Sequence, residues 1–160
     1  MPVKHLHIWQ KFIPNAKYVN LYGPTEITCN CTYHIINEVI PEDGIIPMGI
    51  PFKNERVFLL DENNKLITEP GINGEVCVSG TCVAPGYYNN WEKTNSVFTQ
   101  NPLEIRRFER IYRTGDLAKY GEDGLFYYVG RKDFQIKLNG HRIEVSEVEG
   151  ALMTIEGISR

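Results

Sequence analysis

No run of apolar residues in this chain approaches the roughly 20 that a membrane-crossing helix needs. The N-terminus, Met1-Pro-Val-Lys-His5, also lacks the apolar segment of a secretory signal. A helical membrane protein and a secreted one are therefore not expected, and the cytoplasm is the default compartment. There is no surplus of positive charge: the net charge is −3, which offers no general attraction to nucleic acid or to an anionic membrane. The four cysteines, Cys29, Cys31, Cys77 and Cys82, form no C-x-x-C pair and have no well-spaced histidine beside them. That argues against a zinc site and for buried, reduced thiols. No Ser/His/Asp or Cys/His arrangement stands out, and no paired acids are spaced for glycoside chemistry. Internal repeats and low-complexity segments are missing too.

What is present fits one folded core. The 42% apolar and 23% charged content of the 160 residues is that of a globular protein rather than a disordered tail. Leu6, Trp9, Phe12 and Ile13 recur at helical spacing up to Pro14, which stops a helix. Residues 16–21 read as a strand entering the Gly23-Pro24 turn, and Cys29-Asn-Cys31 reads as strand, with both thiols on one face. Residues 56–60 and 65–67 flank the polar turn Asp61-Glu-Asn-Asn64 as a hairpin. Residues 75–79 read as a further strand and 91–98 as a short helix. Residues 117–120 and 125–129 form a second hairpin around Gly121-Glu-Asp-Gly124. A third places Phe134, Ile136 and Leu138 before Asn139-Gly140, the preferred two-residue turn, with Lys137 on the opposite face. Ser146 and Glu149 then suggest a capping box, with Val148, Leu152 and Ile155 as an apolar stripe, Gly157 as the stop, and Ile158 as a possible strand start. The expected class is α+β, mostly β, with a distorted barrel, hairpins and a few helices. A C-terminal helix with one apolar stripe and few partners, and an uncapped N-terminal helix, give the expectation that both ends are truncated. Open strand edges left that way would invite self-association.

Three stretches carry polar groups in patterns with a chemical use. In Asn20-Leu-Tyr-Gly-Pro-Thr-Glu26, Tyr22 offers a face for stacking a base, Thr25 a hydroxyl for a phosphate, and Glu26 a hard oxygen ligand for Mg²⁺. Read alone, the same residues are a Gly-Pro turn opening a helix or strand. In Tyr112-Arg-Thr-Gly-Asp116, a carboxylate follows a glycine at the mouth of a strand, where it can accept bonds from two vicinal ribose hydroxyls. It is equally an aspartate closing a turn. In the third stretch, Arg131, Lys132, Lys137, His141 and Arg142 gather charge around a hairpin, suited to a phosphate or carboxylate or simply to solvent. His5, His7 and His34 receive no role, and Tyr87-Tyr88 and Tyr127-Tyr128 read as half-buried aromatics.

In this order the stretches resemble the adenylate-forming superfamily: nonribosomal peptide synthetase adenylation domains, D-alanine–carrier protein ligases and acyl-CoA synthetases. Residues 20–26 are similar to its N-x-Y-G-P-T-E motif. Gly74-Glu-Val-Cys-Val-Ser-Gly80 with Val83-Ala-Pro-Gly-Tyr-Tyr88 resembles G-E-L-x-I-x-G…A-x-G-Y. Residues 112–117 match Y-R-T-G-D-L, and residues 130–144 resemble G-R-x-D-x-Q-V-K-x-x-G-x-R-I-E. The resemblance implies that Asn20, Tyr22 and Gly23 belong to the nucleotide site, with Asn20 and Tyr22 holding adenine and Tyr128 packing from another side. Thr25 would contact the α-phosphate and Glu26 would hold Mg. Asp116 would take both ribose hydroxyls, assisted by Arg131. Asp133 would be a hinge, and Asn139-Gly140 would line a pantetheine tunnel. Leu21, Cys29 and Asn30 would line the acyl pocket.

Residues 1–132 would then be the end of a large subdomain with its β-barrel part, and 133–160 the hinge and start of a small one. The implied activity uses ATP and Mg to activate a carboxylic acid, by expectation an amino acid, as an acyl-adenylate. The acyl group would pass to a carrier-protein pantetheine or to CoA. Two family features are not found in this sequence: the Ser/Thr/Gly-rich phosphate loop and the adenylation lysine. One such preorganised charge is worth about 10²–10³ in rate, so negligible ligase turnover is expected from these residues alone. An acyl-CoA synthetase fragment, or a non-catalytic nucleotide-binding or interaction module, are the alternatives.

Overall fold

The computed structural model describes residues 3–133, 136–138, 141–143, 145–152 and 154–155, and divides into units 1–130 and 131–160. In the first unit, α1 (Val3–Phe12) ends two residues before Pro14, as the sequence implies. It buries Val3 and Leu6 against Ile36, Ile40, Ile46 and Tyr18. Only the front of the expected stripe is covered, because Trp9, Phe12 and Ile13 lie exposed. β1 (Tyr18–Tyr22), β2 (Thr32–Ile36) and β3 (Ile50–Pro51) form an antiparallel sheet in that order. Tyr18, Asn20 and Tyr22 are half-buried on one face of β1, whereas Val19 and Leu21 are exposed on the other.

The larger sheet explains most of the core. β4 (Glu55–Leu60) pairs with β5 (Leu66–Ile67) in the expected hairpin, and with β6 (Gly74–Gly80) on its other side. The turn is fixed by Asp61, whose Oδ1 accepts the Asn63 and Lys65 amides at 2.8 and 2.7 Å. Alternation along β4 and β6 sends Val57, Leu59, Val76 and Val78 into one cluster with Ile27, Met48, Tyr112, Ala118 and Phe126. The intervening Phe58, Leu60 and Cys77 pack with Ile111 on the reverse face. Burial on both faces is why these runs read as continuously apolar.

α2 (Trp91–Val97) starts at Asn90, whose side chain accepts the Lys93 amide, and leads directly into β7 (Phe98–Gln100). β8 (Arg110–Tyr120) is the spine of the sheet. One edge pairs with β6; the other serves β7 and β9 (Phe126–Arg131), the second expected hairpin.

Residues 101–109 loop out between β7 and β8 and are tied down by Glu109. Its Oε1 accepts Ser79 Oγ at 2.9 Å and Arg56 Nη1 at 3.0 Å, and its Oε2 accepts Asn101 Nδ2 at 2.8 Å. Burial pushes this carboxyl up, but the bonds from Asn101 and Ser79 and the charges of Arg56 and Arg107 outweigh it. They hold it below its ordinary value of 4.5. A group depressed in the folded state adds stability above its unfolded value, and that stability is lost as pH falls through the folded one. Glu109→Gln should therefore flatten the loss of stability below about pH 4.5, read as urea midpoints from pH 7 down to 3.

In the second unit, β10 (Ile136–Leu138) and β11 (His141–Ile143) pair antiparallel with Leu138 opposite His141. The turn residues Asn139 and Gly140 lie outside the described residues, as do Phe134, Glu144, Gly157 and Ile158. α3 (Val145–Leu152) includes Ser146 within its first turn, so Ser146 does not precede the helix as a cap. Ile155 follows the helix in a turn, its amide donating to the Leu152 carbonyl, so it does not extend the stripe.

Two strand expectations are corrected. Cys29 and Asn30 are not strand: Thr28 and Cys29 have φ of 57° and 86°, the chain reverses there, and β2 begins at Thr32. Cys29 is consequently exposed and Cys31 buried, so they share no face; Cys82 is only half-buried, and none of the four cysteines is in a disulfide. Asp116 does not stand at a strand mouth either. Gly115, read as a break, is a left-handed residue (φ 72°) in the middle of β8.

Candidate functional site

Two carboxylates in the first unit are each held by a phenol from a distant part of the chain. The first is Asp116. β6 and β8 fall out of step between Glu75 and Cys77: Glu75 faces Leu117 and Cys77 faces Arg113, so Thr114, Gly115 and Asp116 together stand across from Val76. Such a bulge interrupts the ladder and re-aims side chains. The Thr114 hydroxyl repairs it, donating to the Val76 carbonyl at 2.9 Å and accepting the Asp116 amide at 3.0 Å. With its backbone fixed this way, the buried Asp116 carboxylate accepts the Tyr22 hydroxyl at 2.5 Å. The Arg113 guanidinium beside it points elsewhere, bonding Glu75 Oε2 at 3.1 and 2.8 Å and Asn64 at 2.7 Å.

The second is Glu26, in the 3₁₀ turn Thr25–Ile27 that follows β1. Ile27 is fully buried in the main cluster and anchors that turn. The Glu26 carbonyl accepts the Ala84 amide at 2.9 Å, and its Oε1 accepts the Tyr87 hydroxyl at 2.5 Å. Burial first, then the neighbouring carboxylate, raises both the Tyr22 and Tyr87 phenols well above their ordinary range. Both therefore remain protonated donors at any physiological pH.

The remaining expected residues divide. Asn20 shares the inward face of β1 with Tyr22 and donates to the Pro47 carbonyl at 2.8 Å. The next two residues bond the start of β9: the Met48 amide to the Phe126 carbonyl, and the Phe126 amide to the Gly49 carbonyl. Tyr128, two residues on and partly exposed, thus lies on the strand that meets Asn20 through residues 47–49. Thr25 is exposed beside Glu26. Gly23 has no space for a side chain, since a Cβ would sit 2.4 Å from the Cys29 carbonyl oxygen and 2.5 Å from Asn30 Cα. Its use is to let two backbone segments touch beneath the site.

Leu21 points to the face opposite Tyr22. Asn30 lines a cavity of about 420 Å³ with Thr28, Phe52, Glu55, Thr81 and Cys82, of which Leu21 and Cys29 are not lining residues. In the second unit, the Arg131 guanidinium grips Asp133 in a two-point ion pair at 2.9 and 2.7 Å. Sequence reasoning missed Tyr87 and Thr114 as parts of this arrangement. The A-P-G-Tyr87 motif was the available signal for the first, and a hydroxyl two residues before Asp116 for the second.

The arrangement offers oxygen acceptors beside an aromatic ring. Asp116 can accept from vicinal hydroxyls, and Glu26 is a hard carboxylate of the kind Mg²⁺ prefers. Among the described residues no group of three or more His, Cys, Asp and Glu could cage a metal ion. An Mg²⁺ here would take one protein carboxylate and draw its other ligands from phosphate and water, a set that fits that ion.

Comparison with known proteins points the same way. A family profile described as AMP-binding enzyme matches residues 1–88. Bacitracin synthase 1 of Bacillus licheniformis is 39% identical over 157 residues, covering 98% of this chain and 3% of that protein. An L-proline–[L-prolyl-carrier protein] ligase of Streptomyces coelicolor is 38% identical over 163 residues, covering 99% of this chain and 28% of that one. Among solved structures, PA1221, an NRPS protein containing adenylation and PCP domains, superposes with a TM-score of 0.87 at 36% identity, covering 98% of this chain and 31% of that chain. The chain thus spans less than a third of the length of these relatives.

Proposed function

Because the chain belongs to the AMP-binding enzyme family, we propose that its residues form the ribose and magnesium side of an adenylate site in an ATP-dependent ligase. The observation that carries this reading is the Tyr22–Asp116 hydrogen bond, which joins two polar motifs 94 residues apart. A ribose whose vicinal hydroxyls donate to Asp116 would have the Tyr22 ring beside its base. Asn20 and Tyr128 border the adenine, Gly23 keeps the turn tight, and Thr25 offers a hydroxyl to the α-phosphate. Glu26 would hold Mg²⁺, which when bound neutralises phosphate charge. Asp133 serves as the hinge between a subdomain of residues 1–132 and one beginning at 133.

The acid activated is an amino acid, with Leu21, Cys29 and Asn30 toward its side chain, and the acceptor is the pantetheine of a carrier protein. The carrier-protein ligase and the adenylation–PCP protein among the relatives support both choices. Turnover is proposed for an enzyme of the relatives' length. These 160 residues, whose sequence contains neither the phosphate loop nor the lysine, should bind AMP weakly and turn over negligibly. Calorimetric titration tests the core of this reading. Saturable AMP binding with a Kd at or below about 1 mM, absent with GMP, supports it, and no binding in that range overturns it.

A further inference from the structure

The G-E-V-C-V-S-G…A-P-G-Y segment is the one recognisable motif left without a role by the adenylate reading. We propose that Tyr87 is a positioning residue that sets the Glu26 carboxylate for a magnesium–nucleotide ligand. The inference rests on the reading of Glu26 as the magnesium-side carboxylate and adds to it the group that aims that carboxylate.

Two observations carry it. First, the segment grips Glu26 twice, through the Ala84 amide on its carbonyl at 2.9 Å and the Tyr87 hydroxyl on its Oε1 at 2.5 Å. One contact fixes the backbone and the other holds the side chain. Second, Tyr87 is itself immobilised. Its amide donates to Thr94 Oγ1 at 2.9 Å, and its ring meets Phe98 edge-on, with centroids 5.6 Å apart at 71°. Gly86, with φ 139°, has Thr94 where a side chain would stand, 2.4 Å from its Cβ position, so the turn before Tyr87 is seated against α2. A ligand carboxylate is commonly oriented by such a hydrogen bond, whose loss lowers metal affinity about 10–100-fold.

The test is ATP binding titrated with Mg²⁺, against AMP binding in EDTA, by calorimetry. Tyr87→Phe keeps the ring and its contact with Phe98 and removes only the hydroxyl. It should raise the Mg²⁺ concentration for half-maximal ATP binding about tenfold. AMP binding without metal should stay within about twofold, the range of a change that does not touch the ligand. Thr94→Val, which loosens Tyr87 without touching Glu26, should shift the Mg²⁺ requirement in the same direction by less. Glu26→Gln separates the two ideas. If it leaves the Mg²⁺ requirement unchanged, the assignment of Glu26 fails, and this inference with it. If Glu26→Gln shifts the requirement and Tyr87→Phe does not, Tyr87 has no positioning role and only the inference falls. Equal weakening of metal-free AMP binding by Tyr87→Phe would mark a structural residue and also overturn it. In the Glu26→Gln background, Tyr87→Phe should have no further effect on the Mg²⁺ requirement.

Discussion

Asp116→Ala should weaken AMP binding about a hundredfold or more, because in the proposed ribose role it removes two charge-assisted hydrogen bonds worth about 1.5–3 kcal/mol each. The same substitution should leave 2′,3′-dideoxy-AMP binding nearly unchanged, since that ligand has no hydroxyls to offer. Alanine also strands the Tyr22 hydroxyl, which donates to Asp116 at 2.5 Å in a largely buried setting. An unsatisfied buried donor costs about 1–3 kcal/mol, so the alanine variant should be less stable as well as weaker in binding. Asp116→Asn separates these effects. Its carbonyl still accepts from Tyr22, so the fold should hold, while the missing negative charge should still weaken AMP. An Asp116→Asn protein that binds AMP as the parent does would remove Asp116 from the ribose role.

The second large effect falls on stability. Gly23→Ala should lower the unfolding free energy by about 3 kcal/mol or more and Tm by about 6–12 °C, the scaling for a chain of this size. The atoms in the way are the Cys29 carbonyl oxygen and Asn30 Cα, both backbone, at 2.4 and 2.5 Å from the added carbon. Neither can move without opening the bend between β1 and β2. Gly130→Ala is the matching control. Nothing stands within 4 Å of its Cβ position and no positive φ is required there, so it should change stability by no more than about 0.5 kcal/mol. Thermal scans of the two variants side by side, together with the parent, measure the difference.

These contrasts also show which parts of the molecule are written locally in the sequence. Strands β4, β5 and β6 were legible because each is a run of apolar residues bounded by Asp61–Asn64 or by glycines, and such signals act over a few residues. Gly115 misled for the same reason. A glycine beside an aspartate normally ends a strand, whereas here it supplies the left-handed residue that lets β8 continue through a bulge. No local signal marks the reversal at Thr28 and Cys29, two residues that seldom adopt positive φ; the packing of Ile27 and Gly23 around it sustains it. In the site, Tyr22, Glu26 and Asp116 were legible as motif members. Tyr87 was legible as a motif member too, but its bond to Glu26, 61 positions away, was not.

Those long reaches set an order of events while the polypeptide is being made. Synthesis runs from the N-terminus, so Tyr87 emerges to meet Glu26 well before Asp116 emerges to meet Tyr22. During that interval the nascent chain holds Glu26 without Asp116, and β6 is without its partner β8. An exposed, unpaired edge of that kind is where a ribosome-associated chaperone has reason to bind, so the closing of the site also covers an edge that would otherwise invite aggregation.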